Sequence, residues 1–159
     1  MVWVPSKTLR HGMCDGFFAA SLGPKIHCPE SPSMLTGSCL CSNVRFVVNE
    51  KPSEPTACHC VQCRKQTGHF LASANVKKPS IQFLTSETLA WFQSSEKVKR
   101  GFCSKCGSTL FWEPIFRDWT SVALGAIEGE TGLCLERHIF VAEKGDYYTL
   151  ADGLPQNEH

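Results

Sequence analysis

The sequence of 159 residues has almost no charge imbalance: 16 basic and 15 acidic side chains give a formal net charge of +1, with six histidines counted neutral. No global field of one sign therefore steers the chain towards nucleic acid or anionic lipid, and any basic patch must be local. Long apolar runs are missing as well; nothing approaches the roughly 18 residues that span a bilayer as a helix. Near the start only Phe17 to Leu22 is apolar, too short for the core of a secretion signal. These absences lead us to expect a soluble, cytoplasmic protein with no membrane or nucleic-acid partner. Repeats of fixed period, low-complexity tracts and long charge runs are also lacking, which excludes solenoids and charged tails. What is present is enough apolar material for a core, with 42% hydrophobic and 19% charged residues in about one domain's length.

The first 33 residues mix Pro5, Pro24, Pro29 and Pro32 with Gly12, Gly16 and Gly23, and show no periodicity. We expect a poorly ordered extension over residues 1–33 and a folded domain over 34–159, with Met34 as a possible natural start. From residue 35 on, short segments rich in β-branched and aromatic residues alternate with turn signals. They predict strands over 43–48, 70–76, 81–85, 89–93, 97–102, 108–112, 120–127 and 137–142. Only 61–67 reads as helix, closed by Gly68. The fold class is therefore mainly β.

Ten cysteines stand out, and seven fall into three clusters: Cys39 and Cys41; Cys58, Cys60 and Cys63; and Cys103 and Cys106. Without an export signal, such clusters point to metal rather than disulfides. Two thiols one or two residues apart at a turn can reach one ion, and four thiolates make a closed tetrahedral zinc site. Gly107 after Cys106 suits the tight turn of a zinc knuckle. Seven ligands suggest one closed four-cysteine site, which contributes folding energy, and one three-cysteine site with an open position for chemistry. Spacing leaves two partitions: Cys39 and Cys41 pair with members of the middle cluster, or with Cys103 and Cys106. The second is preferred because it leaves a compact three-cysteine site open. Cys134, Cys14 and Cys28 belong to no cluster; a packing role is expected for Cys134.

The segments Gly37-Ser38-Cys39-Leu40-Cys41, Cys58-His59-Cys60-Val61-Gln62-Cys63-Arg64-Lys65-Gln66-Thr67-Gly68, Phe102-Cys103-Ser104-Lys105-Cys106-Gly107-Ser108, His138-Ile139-Phe140-Val141 and Asp152-Gly153-Leu154-Pro155 occur in one order along the chain. In this combination the sequence resembles the glutathione-dependent formaldehyde-activating enzymes and their relatives, which include centromere protein V. The resemblance implies a β-tent fold with two zinc ions. It implies a structural ion on Cys39, Cys41, Cys103 and Cys106 and a second on Cys58, Cys60 and Cys63. The chain departs from the pattern after Lys144, where Tyr147-Tyr148 stands in place of an aromatic that is commonly Trp.

The activity implied is a carbon-sulfur lyase-type reaction, addition of the glutathione thiol to formaldehyde giving S-hydroxymethylglutathione. Zinc favours the thiolate, and three thiolates leave the ion at a net −1, better suited to a soft thiol than to activating water. Cys58, Cys60 and Cys63 are then the catalytic cluster, and His59 between them is a candidate proton shuttle or sulfur hydrogen-bond partner. Arg64 and Lys65 are candidates for the carboxylates of glutathione as co-substrate. His69 and His138 are expected to be structural, and Trp91-Phe92 and Phe111-Trp112 mainly core. Two other readings fit the same cysteines: a non-enzymatic zinc-binding interaction module, and a thiol or metal sensor. A sealed three-cysteine site would favour the first of these over an enzyme.

Overall fold

The structure, a computed structural model, describes residue 30 and residues 32–159. The expectations for the N-terminal extension, Cys14 and Cys28 lie outside the described residues. Two antiparallel-based sheets build the domain. The smaller contains β1 (Leu35–Ser38), β2 (Arg45–Val48) and β5 (Ile81–Thr85), in the order β1-β2-β5. The larger contains β3 (Ser53–Cys58), β4 (Leu71–Lys77), β6 (Leu89–Ser95), β7 (Val98–Cys103), β8 (Thr109–Pro114), β9 (Trp119–Ala123), β10 (Arg137–Ile139) and β11 (Gln156–Asn157). Its order is β11-β10-β3-β4-β9-β8-β7-β6. Strands β6 to β9 run as an antiparallel meander, whereas β10 pairs in parallel with both β3 and β11.

The core sits where the two sheets face each other. On β2 the pleat sends Phe46 and Val48 inward and Arg45 outward. Phe46 meets Phe111 of β8 at a ring-centroid distance of 5.1 Å and Phe83 of β5 at 6.4 Å. Leu110, Val122 and Val44 belong to the same buried cluster. Full burial of each such side chain stabilises the fold by about 1.5–3 kcal/mol. Within the smaller sheet Gly37 lies directly across from Phe46, and a Cβ there would run into the Phe46 ring and the Ala126 carbonyl.

The mainly β expectation is what the structure shows, with one short helix, α1 (Val61–Thr67), ending at Gly68 in the left-handed region (φ 80°). The strand at 81–85 has the expected bounds. The predicted strand at 43–48 begins only at Arg45, and two others stop short at their C-terminal ends. The segment from 120 stops pairing at Ala123 and continues as a 3-10 turn over Leu124–Ala126. The segment from 137 stops at Ile139, because Phe140 adopts left-handed backbone (φ 56°) and opens a 3-10 turn over Val141–Glu143. Strands β1, β3 and β11 carry no strand signal in the sequence. β3 contains Pro55 and a bulge with Glu54 at φ 51°, and it is held as a strand by its neighbours β4 and β10.

Candidate metal centre

Two cysteine groups form, each from segments brought together by the sheets. Cys39 and Cys41 follow β1 of the smaller sheet; Cys103 ends β7 of the larger, and Cys106 lies in the turn after it. Their four sulfurs all lie within 4.8 Å of one another. A tetrahedron of zinc-sulfur bonds of about 2.3 Å requires sulfurs about 3.8 Å apart. Cys39 and Cys41 are 3.5 Å apart and Cys41 and Cys103 are 3.8 Å apart, so the group fits such an ion. Gly107, at φ 77°, closes the turn with its N–H donating to the Cys103 carbonyl at 2.8 Å. Neutral donors surround the sulfurs: Val44 N–H reaches Cys39 at 3.3 Å, Asn43 Nδ2 reaches Cys41 at 3.3 Å, and the Thr88 and Ser108 hydroxyls lie 3.2 Å and 3.3 Å from Cys103 and Cys106. The hydrogen bond with Ser108 pushes the Cys106 thiol below its ordinary value.

The second group is Cys58 at the end of β3, Cys60 as the N-cap of α1, and Cys63 inside that helix, their sulfurs again within 4.8 Å of one another. Cys63 N–H donates to Cys60 Sγ at 3.4 Å. Hydrogen bonds from Cys58 and Cys63 pull the Cys60 thiol down, while the bonds Cys58 makes to Cys60 and Cys63 push its own thiol up. Three soft donors converging this closely suit a thiophilic ion with one further position. This group opens into a cavity of about 910 Å³. Trp112 and Trp119 line it, stacked at 5.7 Å, and its polar wall includes Asn75 and Ser121, joined by a 2.7 Å hydrogen bond. Arg137 lines it too, paired at 3.2 Å with Glu54, as does Glu143, whose Oε2 accepts from Val61 N–H at 2.7 Å.

Strand alternation sends His59 the other way from Cys58 and Cys60. It is fully buried and absent from the cavity lining. Asp152 only accepts, so His138 Nε2 donates to it at 2.8 Å; His138 Nδ1 then accepts from His59 Nε2 at 2.8 Å, and His59 Nδ1 accepts from the Tyr148 hydroxyl at 2.5 Å. Burial, and then the nearby His138, push the His59 pKa down to about 4, so the imidazole is neutral. His138 is buried, as a structural role requires, and His69 packs against Phe70 and Tyr148. Tyr148 thus anchors this chain of hydrogen bonds.

Arg64 and Lys65 do not line the cavity. Arg64 is half-buried with an Nε that finds no partner, and Lys65 lines a smaller cavity of about 520 Å³ that shares Gln62 and Arg100 with the first. Cys134 is half-buried and joins neither cysteine group. Trp91 and Phe92 are exposed, whereas Phe111 is core and Trp112 faces the cavity. The sequence reading missed Arg100, Arg137, Glu143, Asn75 and Ser121. Only alternation along β4, β7 and β9 could have placed some of them on one face, and no spacing links them to the cysteines.

Comparison with known proteins settles the kinship. A family model described as glutathione-dependent formaldehyde-activating enzyme matches residues 34–143. The chain belongs to this family. Among its relatives, an uncharacterised lyase of Schizosaccharomyces pombe is 25% identical over 123 residues, 73% of this chain and 85% of that protein. A Halomonas elongata protein named provisionally as a glutathione-dependent formaldehyde-activating enzyme is 28% identical over 124 residues, 72% of this chain and 79% of its own. A crystal structure of a Rhodobacter sphaeroides protein aligns at 20% identity over 59% of this chain and 88% of that one, with a TM-score of 0.48. No helix among the described residues is long and apolar enough to cross a membrane.

Proposed function

We propose that the protein is a zinc-dependent lyase-type enzyme that adds a thiol, glutathione, to a small aldehyde, formaldehyde, in the cytoplasm. The observation that carries this reading is the opening of Cys58, Cys60 and Cys63 into the 910 Å³ cavity, since a purely structural or docking module has no need to expose three ligands to a substrate-sized space. Family membership and the relatives' names support the thiol and the aldehyde. A zinc ion held by Cys58, Cys60 and Cys63 would act as a Lewis acid that favours the ionised form of an incoming thiol.

The remaining steps belong to the chain. Glu143 takes the S–H proton, the sulfur attacks the carbonyl carbon, and the proton returns to the former carbonyl oxygen, giving the hydroxymethyl thioether. Of the two carboxylates in the cavity, Glu54 is occupied by Arg137 and by Asn75 Nδ2 at 3.3 Å, whereas Glu143 is held by one backbone donor beside Cys60. Arg137 offers a fork for a substrate carboxylate within the cavity, and Lys65 a cation in the adjoining one. The stacked indoles of Trp112 and Trp119 give the cavity an apolar wall against which the substrate can pack. His59 turns its ring away from the cavity, and its backbone N–H, donating to the Ile139 carbonyl at 2.9 Å, holds the β3 terminus from which Cys58 and Cys60 reach the cavity.

Exchange NMR of glutathione with formaldehyde tests the reading. The zinc-loaded protein is expected to accelerate adduct formation over the spontaneous rate, and Cys60→Ser is expected to lose the acceleration. A wild-type protein that leaves the spontaneous rate unchanged would remove the formaldehyde reaction.

A further inference from the structure

Arg100 is a buried cation without a carboxylate. It is 5% exposed, on the inner face of β7. Its Nε donates to Ser94 Oγ at 3.2 Å, Nη1 to Gln66 Oε1 at 2.9 Å and Nη2 to Gln62 Oε1 at 3.0 Å, all neutral acceptors. The ion pairs among the described residues use Lys78, Lys99, Arg137 and His138, and none uses Arg100. A buried guanidinium that meets only neutral groups is costly, because its hydration is lost and no opposite charge replaces it. The remaining contact of Arg100 is Cys63 Sγ, 3.7 Å from Nη1.

We propose that Arg100 is the counter-ion and positioning residue of the Cys58/Cys60/Cys63 group. A divalent ion on three thiolates leaves a net charge of −1, which one buried guanidinium neutralises. The same residue fixes the ligands mechanically. Gln62 and Gln66 flank Cys63 on α1, so the Arg100 fork ties both sides of that ligand to β7. Neutralisation also lowers the electrostatic cost of a further anionic sulfur entering the open position. Among the described residues, the hydrogen bonds to the four-cysteine sulfurs come from a backbone N–H, an amide and two hydroxyls, and no cationic side chain donates to them. The inference rests on the reading of the cysteines as a metal centre, but not on the identity of the thiol or aldehyde.

The two groups on one chain supply an internal control. The protein loaded with zinc at both is titrated with a chromophoric chelator, in wild type and in Arg100→Met, Arg100→Gln and Arg100→Lys, with no glutathione or aldehyde present. The neutral variants are expected to release one zinc with about 10–100-fold lower affinity, the range that outer partners of metal ligands command, while the other stays as in wild type. Arg100→Lys, which keeps the charge, is expected to stay within a few-fold. Wild-type retention of both ions by the neutral variants would overturn the proposal, as would parallel loss of both ions from a folded variant. If neither neutral variant folds, the lysine variant decides: near-wild-type affinity supports the counter-ion role and a loss above roughly tenfold overturns it. Failure to accelerate adduct formation would remove the proposed activity and leave this titration unaffected.

Discussion

At the residue scale, position along a strand decides which side chains meet the cavity. Cys58 and Cys60 face it and His59 does not, although all three are consecutive. In the proposed reaction the acid-base task falls to Glu143, a residue that no cysteine motif contains. Glu143→Gln keeps an oxygen able to accept from Val61 N–H, so α1 should stay in place. We expect it to lower kcat by about 10²–10⁴-fold, the usual worth of a general acid-base group, with zinc content unchanged. Steady-state NMR rates together with metal analysis check this, and a variant as fast as wild type would return the proton to solvent.

At the scale of elements, the hydrogen-bond chain from Tyr148 through His59 and His138 to Asp152 clamps the C-terminal segment against the β3 and β10 ends. The bond from His138 holds the Asp152 carboxyl below its ordinary value. A carboxyl with a depressed folded-state pKa adds stability that is complete above the unfolded value of about 3.9 and is lost as pH falls through the folded one. The difference in urea-unfolding stability between wild type and Asp152→Asn should therefore be present above about pH 4 and shrink below it. A difference that persisted undiminished well below about pH 4 would show that folding does not hold Asp152 as a carboxylate. The elements that escaped sequence reading share one cause. β3 and β11 exist because other strands pair with them, and β1 because Gly37 lets Phe46 close against it.

At the scale of the molecule, the four-cysteine group joins the smaller sheet to the larger, and Cys39 and Cys103 are part of the buried core itself. The three-cysteine group joins α1 to one strand end beside open space. Their losses should differ accordingly. Cys103→Ser is expected to unfold the domain or strip it of cooperative melting, because removing a structural ion's ligand forfeits folding energy. Cys60→Ser is expected to melt cooperatively close to wild type. Circular dichroism melts of the two variants test the assignment, and equal destabilisation would show that the two groups do not divide structure from chemistry.

Local chemistry along the chain was enough to specify the mainly β class, the bounds of α1 and β5, the family and the three cysteine clusters, because alternation, capping and ligand spacing act over a few residues. It left open which clusters combine, and the arrangement found, Cys39 and Cys41 with Cys103 and Cys106, follows from two sheets packing around Phe46 and Phe111. Packing alone made Arg100 and Arg137, rather than the adjacent Arg64 and Lys65, the cations that face the three cysteines. Adjacency along α1 turns a side chain by about 100° per residue, so neighbours of Cys63 point elsewhere. Strands 37 and more residues away along the chain supply the charges instead, since sheet pairing ignores distance in sequence.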